Sequence, residues 1–438
     1  SNDMNVAYWY GRVEEGLGNK ESARTAYTKA IDAGGKKPDS VKAYIALGSL
    51  QSQLGDVEGA NATLAAAQAK LPESPELHKA MGNLALDHGR FEAALEEFSK
   101  ALTLDEKDIE ARFLMGTTKR RMRAFEDALA IFDAVGKIDP TYPGFALERG
   151  LLFEEWGRIE EALKEYEAAL AKAPNDPDVM LRVGCARVAA GYGGPAEEIL
   201  RKVQSSRTQP AEASHCLGRA LMLKNDLAEA IRLLTRAVEM APRRAEYHMY
   251  LGWALNEHGK LADAESELKK ALDLDQGLAD AYWQRGVLRT KQKAHTMAIE
   301  DLNYALKLRP SRVEAHAELA RVFSDQGKEQ QALAEWAIAT KGRPNNLLWR
   351  FRYGKLLGEN LRWTEAVNEI AVAIAGAEKQ AVPPQWLWQA HYYMARGMGR
   401  NPNAVKHWLA YWDQAPSDSP YRDEARQALK ALGHPLRE

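Results

Sequence analysis

The sequence predicts an all-α fold, an α-solenoid in which antiparallel helix hairpins wind into a right-handed superhelix that ends in a C-terminal capping helix. Three observations predict this. A glycine recurs every 34 residues along most of the chain, an alanine lies twelve residues after each of these positions, and a large apolar residue lies four residues further on. A repeat of this length is typical of hairpins that bury their apolar faces only by stacking on each other.

The repeat can be followed residue by residue. The first small position steps by 34 from Gly48 to Gly354, with Ala320 as the exception, and Gly11 and Tyr392 take this position in the first and last units. The second small position is alanine in all twelve units: Ala23, Ala60, Ala94, Ala128, Ala162, Ala196, Ala230, Ala264, Ala298, Ala332, Ala366 and Ala404. The large apolar position is filled by Tyr27, Leu64, Phe98, Phe132, Tyr166, Leu200, Leu234, Leu268, Leu302, Trp336, Ile370 and Trp408.

Each unit reads as helix, short turn, helix. In the unit that begins at Ala245, apolar residues recur at three- and four-residue spacing on both sides of Gly259, which marks the turn. A small residue where two helices cross lets their backbones approach closely, and the large side chain fills the space beside the crossing. Prolines such as Pro242 and Pro310 end several units, because proline cannot continue a helix.

This pattern resembles the tetratricopeptide repeat, W-x2-L-G-x2-Y followed by A-x3-F and P. The unit from Ala245 matches it at Leu251, Gly252, Ala264 and Leu268. The resemblance covers about residues 4–418 and implies about twelve repeats. They start near residues 4, 41, 75, 109, 143, 177, 211, 245, 279, 313, 347 and 385.

The last residues are expected to cap the array. Asp418-Ser419-Pro420 is a helix start signal, and one apolar stripe follows before Gly433. We therefore predict a capping helix over 419–433, which covers the exposed face of the last repeat.

Composition argues against several classes of function. Lys and Arg number 59 and Asp and Glu 61, a net charge of −2, which lacks the basic excess of a nucleic-acid or membrane-surface binder. No apolar run is long enough to cross a bilayer, so direct membrane insertion is not expected. Two cysteines without CxxC spacing say nothing about compartment. The compartment stays open, with a soluble protein expected and the cytoplasm preferred slightly over the periplasm.

The resemblance implies that one stripe of each first helix lines a concave surface that holds peptides or partner helices. In repeats six to nine this stripe is unusually apolar, and tryptophan and arginine are enriched in binding hot spots. We predict a partner-binding groove formed by His215, Arg219, Met222, Met249, Trp253, Trp283 and Val287. Leu181 and Met249 occupy the fifth position of their repeats. The alternative interpretation is that side chains at this position pack against the neighbouring hairpin.

Two further surfaces are candidates. Lys79 and Asn83 reproduce the start of a carboxylate clamp for chaperone tails and form a secondary polar groove, but Leu114 and Glu148 break the rest of that motif. Trp386 and Trp388 begin a helix and could form a docking surface or pack in the core.

Other motifs favour structural interpretations. The run Gly191–Ala196 fits a loose dinucleotide-binding pattern but lacks the preceding strand. Cys185 and His215 are too few ligands for a zinc site, and the basic run 119–123 is short and flanked by acidic helices. We expect no catalytic residue, no metal and no cofactor.

The sequence thus predicts a non-enzymatic scaffold that binds a peptide segment or helix of another protein. The alternative is a recruitment arm of a larger enzyme, such as a glycosyltransferase, or of a bacterial secretion or polysaccharide-export assembly, whose other domains lie outside this chain. RNA binding is disfavoured because it needs a basic inner face.

Overall fold

A computed structural model describes residues 3–35, 37–204 and 210–436. Within these ranges the chain forms 25 α-helices and one 3-10 helix, Pro38–Ser40, and no strand. The chain divides into two compact units, Ser1–Gln209 and Pro210–Glu438, which are described in turn.

Unit 1 contains the first twelve α-helices. They are α1 Met4–Gly16, α2 Lys20–Gly34, α3 Val41–Gln53, α4 Val57–Lys70, α5 Pro75–Asp87, α6 Phe91–Leu104, α7 Ile109–Arg121, α8 Phe125–Ile138, α9 Phe145–Glu155, α10 Ile159–Lys172, α11 Pro177–Ala189 and α12 Gly193–Gln204.

Unit 2 contains the remaining thirteen. They are α13 Pro210–Leu223, α14 Leu227–Met240, α15 Ala245–His258, α16 Leu261–Leu274, α17 Ala279–Lys291, α18 His295–Leu308, α19 Val313–Asp325, α20 Glu329–Gly342, α21 Leu347–Glu359, α22 Trp363–Ala377, α23 Leu387–Met398, α24 Ala404–Gln414 and α25 Arg422–Ala431.

Odd-numbered helices up to α23 are the first helices of hairpins, and each packs against the helix that follows it. Short turns join the two helices of a hairpin, so they run antiparallel, and each second helix also contacts the next first helix within its unit. Both units are therefore α-solenoids, as predicted, in which every hairpin buries its apolar faces against its neighbours.

The repeating small and large residues form the core of each hairpin. The alanine of the second helix is 0% exposed in all twelve pairs, from Ala23 to Ala404. In the units that have glycine at this position of the first helix, the large residue lies against that glycine: a Cβ on Gly82 would lie 2.4 Å from a ring carbon of Phe98. At Gly252 the nearest atom would be Leu268 Cγ at 2.7 Å. Close backbone approach thus explains the spacing.

The turn inside each hairpin needs one residue in the left-handed backbone region, where φ is positive. Glycine, which adopts this region without strain, occupies the position in most hairpins, as at Gly259 with φ 89°. Four hairpins use other residues there: Arg123, Asn225, Lys293 and Leu361. These side chains carry local strain that glycine would not.

The first helices form the inner side of each solenoid. In unit 1, α3, α5, α7 and α9 contact one another in succession, and in unit 2 the same holds for α13, α15, α17 and α19. Successive second helices have no contact of comparable extent among the described residues. Because first helices lie closer together than second helices, each row curves with its first helices on the concave side.

The ends of the two units differ. Helix α25 packs on α24 and buries Ala425 and Leu429, which makes it the predicted C-terminal capping helix. At the start of unit 1, α1 leaves a row of apolar side chains exposed, with Trp9 at 62% and Tyr10 at 55%.

Candidate functional site

A row of three aromatic rings with an arginine at each end crosses the concave side of unit 2. We call it the aromatic row and define it by Arg219 on α13, Tyr250 and Trp253 on α15, Trp283 on α17 and Arg312, the residue before α19. Adjacent first helices present their side chains at the same level. As a result, residues about one repeat apart in sequence meet in space.

Each member of the aromatic row contacts the next. The Arg219 guanidinium carbon lies 4.3 Å from the centre of the Tyr250 ring, and Tyr250 stacks on Trp253 with 5.7 Å between ring centroids. Trp253 and Trp283 meet edge to face at 5.7 Å, and Arg312 covers the Trp283 ring at 4.2 Å. Both kinds of contact are favourable, since the face of an aromatic ring is electron-rich.

The two terminal arginines differ in how well acids neutralise them. Arg312 forms an ion pair with Asp280, with 3.1 Å between Nη2 and Oδ1. Arg219 has a looser contact with Glu246, at 3.7 Å. The Nε atoms of both arginines are buried without a hydrogen-bond partner in the described part of the chain, so both retain hydrogen-bonding capacity that the fold does not use.

The two central tryptophans are half-buried. Neighbours cover part of each ring, Tyr250 on Trp253 and Arg312 on Trp283, but neither residue is fully buried between hairpins. Burial raises the pKa of the Tyr250 hydroxyl beside them, and Arg219 opposes that shift only in part. The site is consequently apolar and partly desolvated at its centre and cationic at both ends.

The structure places the predicted groove residues in two groups. Arg219, Met222, Trp253, Trp283 and Val287 are half-buried and line the concave side of unit 2. Leu181, on α11 of unit 1, is buried, as the packing alternative for its position expects.

His215 and Met249 correct the prediction. They are 2% and 3% exposed, so they lie beneath the surface and offer no area to a partner. Met249 belongs to a core cluster with Leu251 and Ala281, because the fifth position of this first helix faces the neighbouring hairpin. His215 stacks on Tyr247 with ring centroids 4.3 Å apart, and burial lowers the pKa of its imidazole.

Tyr250 and Arg312 were missed by the sequence reasoning. Tyr250 occupies the sixth position of its repeat, outside the stripe from which the groove was predicted. Arg312 lies in the connection between repeats and not on a first helix. The position of Arg312 in the sequence could have indicated it, because a long side chain one residue before a first helix reaches the first helix of the preceding repeat.

The secondary candidates lie in unit 1, beside a cavity of about 360 Å³ that Lys79 and Asn83 help to line. Lys79 Nζ is 2.8 Å from Asp108 Oδ2 and 2.6 Å from Glu110 Oε2. Burial lowers the pKa of Lys79, but the hydrogen bonds to Asp108 and Glu110 outweigh that effect and raise it. Lys79 is thus a cation already neutralised by the fold, which disfavours a carboxylate-clamp role.

The other sequence motifs have structural explanations. In the basic run, Arg120 is buried and pairs with Glu148 and Glu155. Gly191 forms a hairpin turn, and no strand precedes it within the residues the structure describes. Trp386 stacks on Phe351 at 5.0 Å, which supports packing and not docking.

The described residues contain neither a metal site nor a membrane span. No three His, Cys, Asp or Glu side chains come together as metal ligands in residues 3–35, 37–204 and 210–436. Over the same residues, none of the helices combines the length and the apolar character needed to cross a bilayer.

Comparisons with known proteins agree with the fold. Residues 11–75, 45–109 and 217–279 match one sequence profile of the tetratricopeptide repeat, and residues 85–147 match another. A chain of the APC/C hetero-tetramer Cut9–Hcn1 crystal structure is similar with a TM-score of 0.55 and 16% identity, covering 98% of this chain and 91% of that chain. At this identity the likeness concerns the fold alone.

Two curated proteins match shorter parts of the chain. Identity to the Protein CTR9 homolog of Arabidopsis thaliana is 29% over 170 residues, 37% of this chain. Identity to DnaJ homolog subfamily C member 7 of Mus musculus is 30% over 90 residues, 20% of this chain. The matches span only 15% and 18% of those two proteins, so the chain covers a small part of the length of each.

Proposed function

Because the chain belongs to the tetratricopeptide repeat family, we propose that it is a non-enzymatic scaffold whose aromatic row binds a segment of another protein. Solenoids of this kind present extended concave surfaces for protein–protein interaction. The finer proposal, that a peptide or helix docks on α13, α15 and α17, is supported chiefly by one observation. Trp253 and Trp283 contact each other at the centre of the concave side and are only half-buried.

The chemistry of the aromatic row suits an apolar anchor on the partner. Trp, Tyr and Arg dominate binding hot spots, and Trp and Tyr bury large areas at a low cost in side-chain entropy. The stacked rings are held by their neighbours before a partner arrives, which lowers the ordering cost of binding. Met222 on α13 and Val287 on α17 add apolar area at the edges of the row.

The experiment compares three forms of the protein as bait: wild type, the double variant Trp253→Ala/Trp283→Ala and Trp9→Ala. Trp9 is the matched control, because it is 62% exposed on α1, outside the aromatic row. Partners captured by wild type are quantified by mass spectrometry, and a retained one is purified for calorimetry. We expect the double variant to weaken binding at least about 30-fold, that is by about 2 kcal/mol, and Trp9→Ala to leave it unchanged.

Loss of binding counts only if the fold is intact, so circular dichroism and the melting temperature of each variant accompany the measurement. Equal affinity for the wild type and a folded double variant would refute the aromatic row as the binding surface. The alternative role, as an arm of a larger assembly, stays a prediction. Sequencing the full gene product tests it.

A further inference from the structure

Arg352 on α21 is a cation that no acid of the described residues contacts directly. Its side chain is half-buried on unit 2, yet it forms no hydrogen bond or ion pair with any described residue. Arg350, two residues earlier, shows the usual arrangement: its Nη1 donates to Glu369 Oε2 at 2.5 Å and its Nε to the Pro344 carbonyl at 2.6 Å. A half-buried guanidinium without such partners loses hydration and gains nothing in return.

A second cation makes the position of Arg352 still less favourable. Burial lowers the pKa of Arg352 and the charge of Arg321 on α19 lowers it further, whereas the charge of Glu318 opposes these effects only in part. Arg321 itself is held by Glu318, with 2.8 Å between Nη1 and Oε2. Glu318 is 6% exposed, and burial raises the pKa of its carboxyl despite the opposing effect of Arg321. The one acid behind the two arginines therefore compensates them incompletely.

These side chains surround a cavity of about 270 Å³. Arg321, Arg352 and Lys355 line it as cations, and Asp325 and Glu359 as acids. Glu359 is already engaged: it accepts a hydrogen bond of 2.8 Å from the Tyr393 hydroxyl and lies 3.8 Å from Lys355 Nζ. Among the cations of the lining, Arg352 is thus the one without an ion pair to a described residue, and the exposed Asp325 forms none either.

We propose that this cavity binds the carboxylate of an Asp or Glu side chain on the partner segment that the aromatic row anchors. The inference rests on the proposed function and extends it, since it specifies the partner as an apolar anchor with an acidic residue at a set distance. A carboxylate offers two oxygens to a guanidinium and supplies the hydrogen bonds and the charge that Arg352 lacks.

The spacing follows from the helix order. Helix α17, which carries Trp283, contacts α19, and Arg352, which would hold the carboxylate, lies on α21, the next first helix. Neighbouring helices lie about 10 Å apart, so the carboxylate site is roughly 20 Å from Trp283. An extended chain advances about 3.3 Å per residue, which separates the anchor and the acid by about six residues.

The test uses a random dodecapeptide phage library selected on wild type, Arg352→Gln, Arg350→Gln and Trp253→Ala/Trp283→Ala. We expect wild type and Arg350→Gln to select peptides with an apolar anchor and an acid about six residues away. Arg352→Gln is expected to select the anchor without the acid. In a selected peptide, replacing the acid by its amide should weaken binding to wild type about tenfold and binding to Arg352→Gln less than about twofold.

The results separate the two proposals. If wild type selects apolar anchors that depend on Trp253 and Trp283 but no acidic residue is enriched, the carboxylate site is wrong and the aromatic row stands. If wild type selects no peptide whose binding depends on those two tryptophans, both proposals are wrong. Thermal unfolding distinguishes a binding role of Arg352 from a structural one. Arg352→Gln should keep or raise the melting temperature, whereas Arg350→Gln should lower it because Arg350 has partners within the fold.

Discussion

The buried histidine pair of the last hairpin makes unit 2 sensitive to acid. His391 on α23 and His407 on α24 are 2% and 7% exposed, and their Nδ1 atoms lie 2.9 Å apart. A single proton joins two such nitrogens, with one ring donating and the other accepting. A second proton would place two donors and two charges against each other inside the protein.

The surroundings of the pair decide the direction of the effect. Burial, together with the smaller effects of His391 and Lys406, lowers the pKa of His407 from 6.5 to about 4. Burial likewise lowers the pKa of His391, and Glu378, whose Oε1 is 3.8 Å from Nε2, opposes this only in part. His407 is therefore neutral in the folded state at pH 5, and burial favours the neutral form of His391 as well.

The magnitude follows from proton linkage. Between pH 6.5 and 4 the unfolded chain binds a proton at His407 that the folded chain does not, so stability falls as the pH falls through this range. At pH 5 the loss from His407 is about 2 kcal/mol relative to pH 8, and it levels off near 3 kcal/mol below the folded pKa. His391 adds to the loss in the same direction.

Hydrogen exchange measured by mass spectrometry is the appropriate assay, because repeat arrays open locally and one unfolding free energy does not describe them. We compare protection of peptides from α23 and α24 at pH 8 and pH 5, corrected for intrinsic exchange, in wild type and His407→Asn. The asparagine keeps a hydrogen-bonding group near the Nδ1 position and does not titrate. His434→Asn, at an exposed histidine near the C-terminus, is the control.

We expect wild type and the control to lose about 2 kcal/mol of protection in α23 and α24 at pH 5, while His407→Asn loses clearly less. Other acid-sensitive groups affect all three proteins equally and cancel in the comparison. The same loss in His407→Asn as in wild type would refute the assignment of acid sensitivity to this pair.

Two further predictions concern stability. Leu361 is 77% exposed and has φ 60°, so Leu361→Gly relieves left-handed strain and should raise the local unfolding free energy by about 0.5–1 kcal/mol in urea titrations. A lower midpoint would show that this turn is not strained. Asp301 is buried and pairs with Arg285 and Arg289 at 2.7 Å each, so Asp301→Asn should cost about 3–5 kcal/mol by leaving both cations unpaired. An unchanged midpoint would contradict that.

The sequence predicted the fold because its constraint is local and repeated. A helix crossing that admits only a small residue opposite a large one leaves the same pair in every unit, as Gly82 with Phe98 and Gly252 with Leu268 show. The rule depends on neighbours within one hairpin. It can therefore be read from residue spacing before any three-dimensional information exists.

Which side chains are exposed at the candidate site depends on packing between hairpins. The spacing of residues in the sequence does not determine that packing. Met249 and Trp283 occupy the same fifth position, yet one is buried and the other half-buried, because a different neighbour lies against each. Arg352 is a similar case. Its importance comes from the absence of an acid in direct contact among the described residues, whereas Arg350, two residues away, has one. Such differences follow only from side-chain contacts in three dimensions.

The central claim is that partners bind on the concave side of unit 2, at the aromatic row. Its most direct test is hydrogen exchange on the purified complex with a captured partner, compared with the free protein. We predict that binding slows exchange in α13, α15 and α17, the helices that carry Arg219, Trp253 and Trp283, and leaves α3 and α5 unchanged. Protection confined to α3 and α5, or to the second helices α14, α16 and α18, would contradict the account.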